Sequence, residues 1–462
     1  MRKILHTLRI AIKGSEKEFT SGSINRAILL LSIPMILEMM MESLFAVVDA
    51  FFVTKIGVNA IATVGMTESV VTLIYATAIG LSMAATAMVA RRIGEQKKEE
   101  AAVVAVQVLI IAFIASAILG ILGFCFAKDI LRLMGGSPEL VEEGYQYTRI
   151  LFAGNISIML LFLLNGIYRG AGDASIAMRS LWIANSCNII LDPCLIFGWG
   201  PFPEMGLTGA AIATTTGRGI GVLYQLYILF YGNNILQIRR RHFRFKWPII
   251  QRLLRISVGG ISQHLIASSS WIFMMRIVSA FGSEAVAGYT IAIRIIIFTI
   301  LPSWGMANAA ATLVGQNLGA GHPKRAERSV WRTANFNMVF LILVALVFYI
   351  WAPELVTIFE ASNPTVINEG TRSLRIISIG YLFFAHGMII SQAFNGAGDT
   401  RTPTWINFIS FWLIQIPLAY LLAFYFSYGS AGVYWAIAMS EAILALLAIL
   451  IFRQGRWKMT QV

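Results

Sequence analysis

Residues 32–57 read SIPMILEMMMESLFAVVDAFFVTKIG, a run long and apolar enough to cross a bilayer that nevertheless carries Glu38, Glu42 and Asp49. A carboxylate in hydrocarbon is costly, so such residues face a protein interior or a watery cavity, and they commonly serve transport. Steps of four and seven residues keep all three acids on one stripe of an α-helix, and that stripe is expected to face a polar interior. Pro34 removes a backbone donor one turn before the acids begin. Glu38 and Glu42 are open to two readings, as cavity lining or as partners of basic groups. Asp49, deep in the run between Ala46, Val47, Val48 and Ala50, fits simple pairing less well.

The rest of the chain shares this apolar character. Of 462 residues, 57% are hydrophobic and only 13% charged, which excludes a water-soluble globule of this size and implies a polytopic, all-α membrane protein. Continuous runs about twice the length of a barrel strand, without alternation, exclude a β-barrel. The net charge of +13 would suggest nucleic acid in a soluble protein. Here most Lys and Arg fall between spans, in the N-terminal segment, at 91–98, at 239–255 and at 324–332. That is the positive-inside pattern for a multi-pass plasma (inner) membrane protein with both termini cytoplasmic, and it leaves no role for nucleic acid. The first 24 residues are basic and polar and show no cleavable leader. Cys125, Cys187 and Cys194 lie in apolar segments without metal-ligand spacing, and they are expected to be small, buried and unpaired.

Twelve spans can be counted, and they repeat at an offset of about 225 residues. Residues 80–101, GLSMAATAMVARRIGEQKKEEA, return as residues 305–326, GMANAAATLVGQNLGAGHPKRA. Gly170, Ala171, Gly172 and Asp173 return as Gly396, Ala397, Gly398 and Asp399. Six spans per half is an even number, so the halves enter and leave on one side and form parallel repeats about a pseudo-twofold along the membrane normal. The expected organisation is a cytoplasmic segment 1–24, a first lobe 25–231, a basic cytoplasmic linker 232–247 that could hold anionic lipid headgroups, and a second lobe 248–462 ending in a short tail.

The halves differ in their acids. At the repeat offset Glu38, Glu42 and Asp49 become Gln263, Ala267 and Met274, and Asp192 has no acidic counterpart in FWLIQIPLAYL. In the first half Asn185, Asn188 and Asp192 share one helix face, and Pro193 loosens the backbone beside the acid. Asn165 and Thr214 on neighbouring spans add oxygens. With Asp49 this makes a coupling-ion set able to hold a proton or, through Asp49 and Asp192, a hard metal cation such as Na+. Glu38, Glu42, Asn185, Glu68, Met41 and Met274 are candidates for the cavity lining. Asn165 could equally glue helices together. Glu68, Arg218, Arg276, Arg294, His264, His386 and Glu441 are weaker leads, each able to form a buried pair instead. No phosphate loop, nucleophile elbow or zinc helix is present, so neither an enzyme nor a cofactor is expected.

The order IPMILEMMMESLFAVVDAFFVTKIG, RGAGD, NIILDPCLIF, GLTGAAIAT and FNGAGDT resembles the multidrug and toxic compound extrusion (MATE) transporters over essentially the whole chain. The resemblance implies twelve helices in two six-helix lobes around a cleft, and antiport of organic, often cationic, molecules against H+ or Na+. It carries functional positions onto Asp49, Asn165, Asn188, Asp192 and Thr214. Some members also have acids deep in the seventh and tenth helices, where this chain has Gln263, His264 and His386, so coupling through the first lobe is implied. The expected partners are small organic substrates, H+ or Na+ and the lipid bilayer, with the protein acting as a monomer. A flippase of a lipid-linked intermediate is the alternative; its expected wall of basic residues is not matched by the few arginines within spans.

Overall fold

The computed structural model describes residues 9–14, 19–232 and 234–462. Parts of the expected segment 1–24 and of the linker, residues 1–8, 15–18 and 233, lie outside the described residues. The described chain is helical without strands. Among the described residues ten helices are long and apolar enough to span a membrane, and a bent pair, Pro364–Ile379 and Tyr381–Ala397, makes an eleventh. Gly206–Tyr231, of 26 residues, packs among them as the twelfth.

In chain order the spans are Ile24–Thr54, Val58–Gly94, Lys98–Cys125, Pro138–Ala153 continued by Asn155–Ala171, Ala174–Phe197, Gly206–Tyr231, Trp247–Val278, Ser283–Gly319, Pro323–Thr357, the bent tenth, Arg401–Tyr425 and Ser430–Arg453. The second and eighth spans have 37 residues each. At 1.5 Å per residue that is about 55 Å, well beyond a hydrocarbon core of about 30 Å, so both extend out of the bilayer. The two GAGD motifs stop the fourth and tenth spans in the same way. Gly172 and Gly398 adopt left-handed φ of 90° and 88°, a conformation glycine reaches without a Cβ penalty.

Several local features depart from a straight twelve-helix reading. A short helix, Ala127–Leu133, precedes the fourth span. The fourth and tenth spans break at Gly154 and Gly380. The ninth runs to Thr357 across a kink where Trp351 leaves helical geometry two residues before Pro353. The eleventh winds into π-helix at Phe408–Gln415 and Leu421–Tyr425 on either side of Pro417, whose missing N–H disturbs the regular ladder. The cysteines are free but not buried: Cys125 is exposed and the other two half-buried, because their helices turn those faces outward.

The pseudo-twofold shows in the packing. A Cβ on Gly80 would lie 2.7 Å from the backbone nitrogen of Ile261, and one on Gly305 would lie 2.8 Å from that of Ile36. Gly94 sits against the backbone of Gln316, and Gly319 against that of Arg91. Each contact in one direction has its repeat-related contact in the other. All fall in the halves of the helices nearest the basic turns, where the lobes are pressed together. Met40, Leu44, Val47 and Phe51 of the first span are exposed.

Both chain ends reinforce the closed side. Phe19 N donates to Gln316 Oε1 at 3.1 Å, and Arg325 binds the carbonyls of Ser21 and Gly22 at 2.8 Å. Trp457 stacks on Phe452 at 4.6 Å, Lys458 reaches Glu327 at 2.6 Å, and Arg91 of the other lobe binds the Thr460 carbonyl. The linker docks on the third span: Arg241 and His242 meet Glu99 at 2.5 and 2.7 Å, and Gln107 binds the Arg244 carbonyl at 2.7 Å.

Candidate functional site

The fifth span presents Asn188 and Asp192 one turn apart on a buried face, and the sixth brings Thr214 against them. Asn188 Nδ2 donates to Asp192 Oδ1 and to Thr214 Oγ1, both at 3.3 Å. Among the described residues, Asp192 Oδ2 and Asn188 Oδ1 are buried without a hydrogen-bond partner. Both are acceptors chemically able to take a proton or a hard cation. Asp49 on the first span is half-buried and lies within electrostatic reach of Asp192, Arg218 and Glu68. The hydroxyl of buried Tyr147 shares that field. Two carboxylates that repel one another in a poorly solvated pocket are relieved by any cation bound between them.

Arg218 anchors the other end of the site. It donates to the Tyr75 hydroxyl at 2.8 Å, lies 3.7 Å from Glu42, and stands over the ring of Phe45 at 5.2 Å. Of the two roles left open for it, the structure gives Arg218 the buried pair, and its position four residues after Thr214 puts both on one helix face.

Other expected site residues fall elsewhere. Glu38, 1% exposed, is in an inner network: Asn165 Nδ2 donates to its Oε1 at 3.0 Å, and Arg169 lies 3.4 Å away. Asn165 Oδ1 accepts from Gln225 at 2.6 Å, so Asn165 belongs to this network and not to the Asn188–Asp192 group. Glu38 therefore pairs with a base, and the reading of it as cavity lining is corrected. Asn185 is glue between helices, donating to the Met41 carbonyl at 3.1 Å, and Met41 itself is buried. Met274 is 1% exposed within the second-lobe core with Val278 and Tyr289, so it lines no cavity; the apolar neighbours of its helix absorb it. Glu68 is exposed.

The second lobe repeats the inner network without charge. Gln263 and Asn395, at the positions matching Glu38 and Arg169, exchange hydrogen bonds at 3.0 and 3.1 Å. The Met41 carbonyl, which accepts from Asn185, has its repeat counterpart in the Ile266 carbonyl, which accepts from Trp412 at 3.2 Å.

Two six-helix repeats around a cleft, with buried carboxylates in one wall, define a polytopic membrane transporter. The chain belongs to the MatE family of multidrug and toxic compound extrusion transporters, whose model matches it at residues 34–194 and again at 261–421, once per lobe. Over 435 residues it is 26% identical to a probable multidrug resistance protein NorM of Thermotoga maritima, covering 94% of this chain and 93% of that one. It is also 27% identical to a FAD transporter of Shewanella oneidensis, covering 87% and 88%. Among solved structures, an outward-facing conformation of a multidrug resistance MATE family transporter superposes with a TM-score of 0.89 at 29% identity, covering 95% of this chain and 98% of that one.

Proposed function

We infer that this protein exports small organic, cationic or amphipathic compounds in exchange for H+ or Na+ by alternating access. The observation that carries the reading is the first-lobe set of Asp49, Asp192, Asn188 and Thr214, with an unpartnered carboxylate oxygen on Asp192 and no acidic equivalents in the second lobe. A bound proton or Na+ neutralises the set while the cleft faces outside. Pro34 and Pro193 lie within the first and fifth helices, where lost backbone bonds allow bending as the pocket contracts and substrate leaves. Loss of the cation on the other side restores the negative charge that attracts the next substrate. In this reading the division at residues 25–231 and 248–462 separates a coupling lobe from a supporting one, the face with both chain ends is cytoplasmic, and the membrane is the plasma membrane.

Of the two cations the proton is the simpler occupant, since a single proton satisfies Asp192 Oδ2, whereas Na+ needs several converging oxygens. The test uses everted vesicles with a panel of fluorescent cations added outside. Accumulation in the lumen driven by a pH gradient without Na+ is expected, and it is abolished in Asp49→Asn at normal expression. Transport that requires a Na+ gradient overturns the proton, and wild-type accumulation by Asp49→Asn overturns the site.

A further inference from the structure

The sixth and twelfth spans align without a gap at an offset of 223 residues, GLTGAAIATTTGRG from Gly206 against GSAGVYWAIAMSEA from Gly429. The packing supports the register. Gly154, the break in the fourth span, lies against Thr215, and Gly380, the break in the tenth, lies against Ala438. Gly209 abuts the fifth span at Leu195, and Gly432 abuts the eleventh at Leu422 and Ala423. Three residues beyond Thr215 and Ala438, the register pairs Arg218 with Glu441. The two lobes thus place opposite charges at equivalent points.

Their surroundings differ. Arg218 is held by Tyr75, Glu42 and Phe45. At the repeat offset these are Ile300, Ala267 and Ser270, smaller or apolar, and the Ser270 hydroxyl is already donated to the Ala267 carbonyl at 3.0 Å. Among the described residues, Glu441 Oε2 is buried without a hydrogen-bond partner and the carboxylate forms no ion pair. The titratable groups on the helices packed against the twelfth span are engaged elsewhere or apart from it. Glu369 of the tenth holds Ser430 and Tyr434, Arg372 lies beside Glu369, and Arg375 binds the Tyr349 carbonyl. His386 of the tenth and His264 and Arg276 of the seventh make no ion pair with it.

An uncompensated carboxylate within a span persists only if a proton or another cation neutralises it. We propose that Glu441 is a second-lobe binding residue for the cationic group of the exported compound, giving up a proton as that group docks. The inference rests on the export reading, but it adds a contact in the lobe that lacks the coupling acids. The substrate class it selects is a monovalent organic cation, whose charge replaces the one lost.

The test uses the purified full chain in detergent, with tetraphenylphosphonium as probe, reading affinity by calorimetry and proton release in weak buffer. Glu441→Gln is expected to weaken binding by about tenfold or more, the value of one charged contact, and to reduce the protons released per cation bound. Glu441→Asp keeps the release with weaker binding. A neutral amphipathic probe binds both variants as it binds the unchanged chain. Wild-type affinity and release in Glu441→Gln overturn the proposal while leaving the export reading intact. A Glu441→Gln chain that no longer folds, with Glu441→Asp melting normally and binding unchanged, assigns Glu441 to structure and also overturns it. Failure of the unchanged chain to bind any organic cation sinks the export reading first.

Discussion

Glu38→Gln strands the Arg169 guanidinium inside the first lobe. With the charges 3.4 Å apart, Coulomb attraction at an effective dielectric of about 20 is about 5 kcal/mol. The Ser82 hydroxyl, 3.2 Å from Arg169, stays in place and softens the loss, so the expected destabilisation is about 3–5 kcal/mol. Arg169→Asn alone leaves Glu38 with only the Asn165 amide and costs a similar amount. The double variant Glu38→Gln/Arg169→Asn copies the Gln263–Asn395 pair of the second lobe, which closes the same gap with neutral hydrogen bonds. Its cost should fall to about 1–2 kcal/mol, so the double-mutant cycle should show coupling of about 4 kcal/mol or more. The assay is denaturation in mixed micelles, followed by tryptophan fluorescence, alongside dye efflux per folded molecule. If the double variant is as unstable as the sum of the singles, the pair is not a replaceable structural link. If it is stable but fails to transport, Glu38 has a role beyond holding the lobe.

Other outcomes follow from particular contacts. Gly94→Val forces a side chain into the Gln316 backbone and should depopulate the closed side; the readout is greater labelling of a cysteine placed at Ala90, and unchanged labelling refutes it. Trp457→Ala removes a buried ring stacked on Phe452 at 4.6 Å and should cost about 3 kcal/mol; an unchanged melting temperature would show that the tail does not brace the fold. Cys125, exposed at the end of the third span, should react with a maleimide in the folded chain well before Cys187 and Cys194 do.

Much of this architecture was legible because a bilayer imposes simple rules. Span lengths, the parallel repeat and the two GAGD stops all follow from apolar runs and glycine placement, and the structure keeps them. The breaks at Gly154 and Gly380 were not legible, since each arises where a neighbouring helix, through Thr215 or Ala438, approaches too closely for a side chain. The Asn188–Asp192–Thr214 grouping followed from spacing on two adjacent helices. Glu38 and Asn165 each kept two readings, cavity or coupling role against pairing or helix glue, because helix periodicity gives the face of a residue but not its partner; only the fold shows that Arg169 waits opposite Glu38 and that Asn165 bridges Glu38 and Gln225. Met274 was misread for the same reason, as flexible apolar side chains suit a cavity wall and a packed core equally well.

The reciprocal approach of Gly94 to Gln316 and of Gly319 to Arg91 has the geometry of an isologous dimer interface, in which each surface meets its own equivalent. The two lobes behave as subunits that happen to share a chain. The linker docks on the third span of its own lobe through Glu99 and Gln107, so it does not clamp one lobe to the other. Severed within that linker and made together, the halves would insert in the same orientation and recognise each other through these backbone crossings. The asymmetry of charge would then serve as a molecular address, favouring the mixed pair: two first halves together would double the unpaired acids lining the cleft, and two second halves would have no coupling site at all.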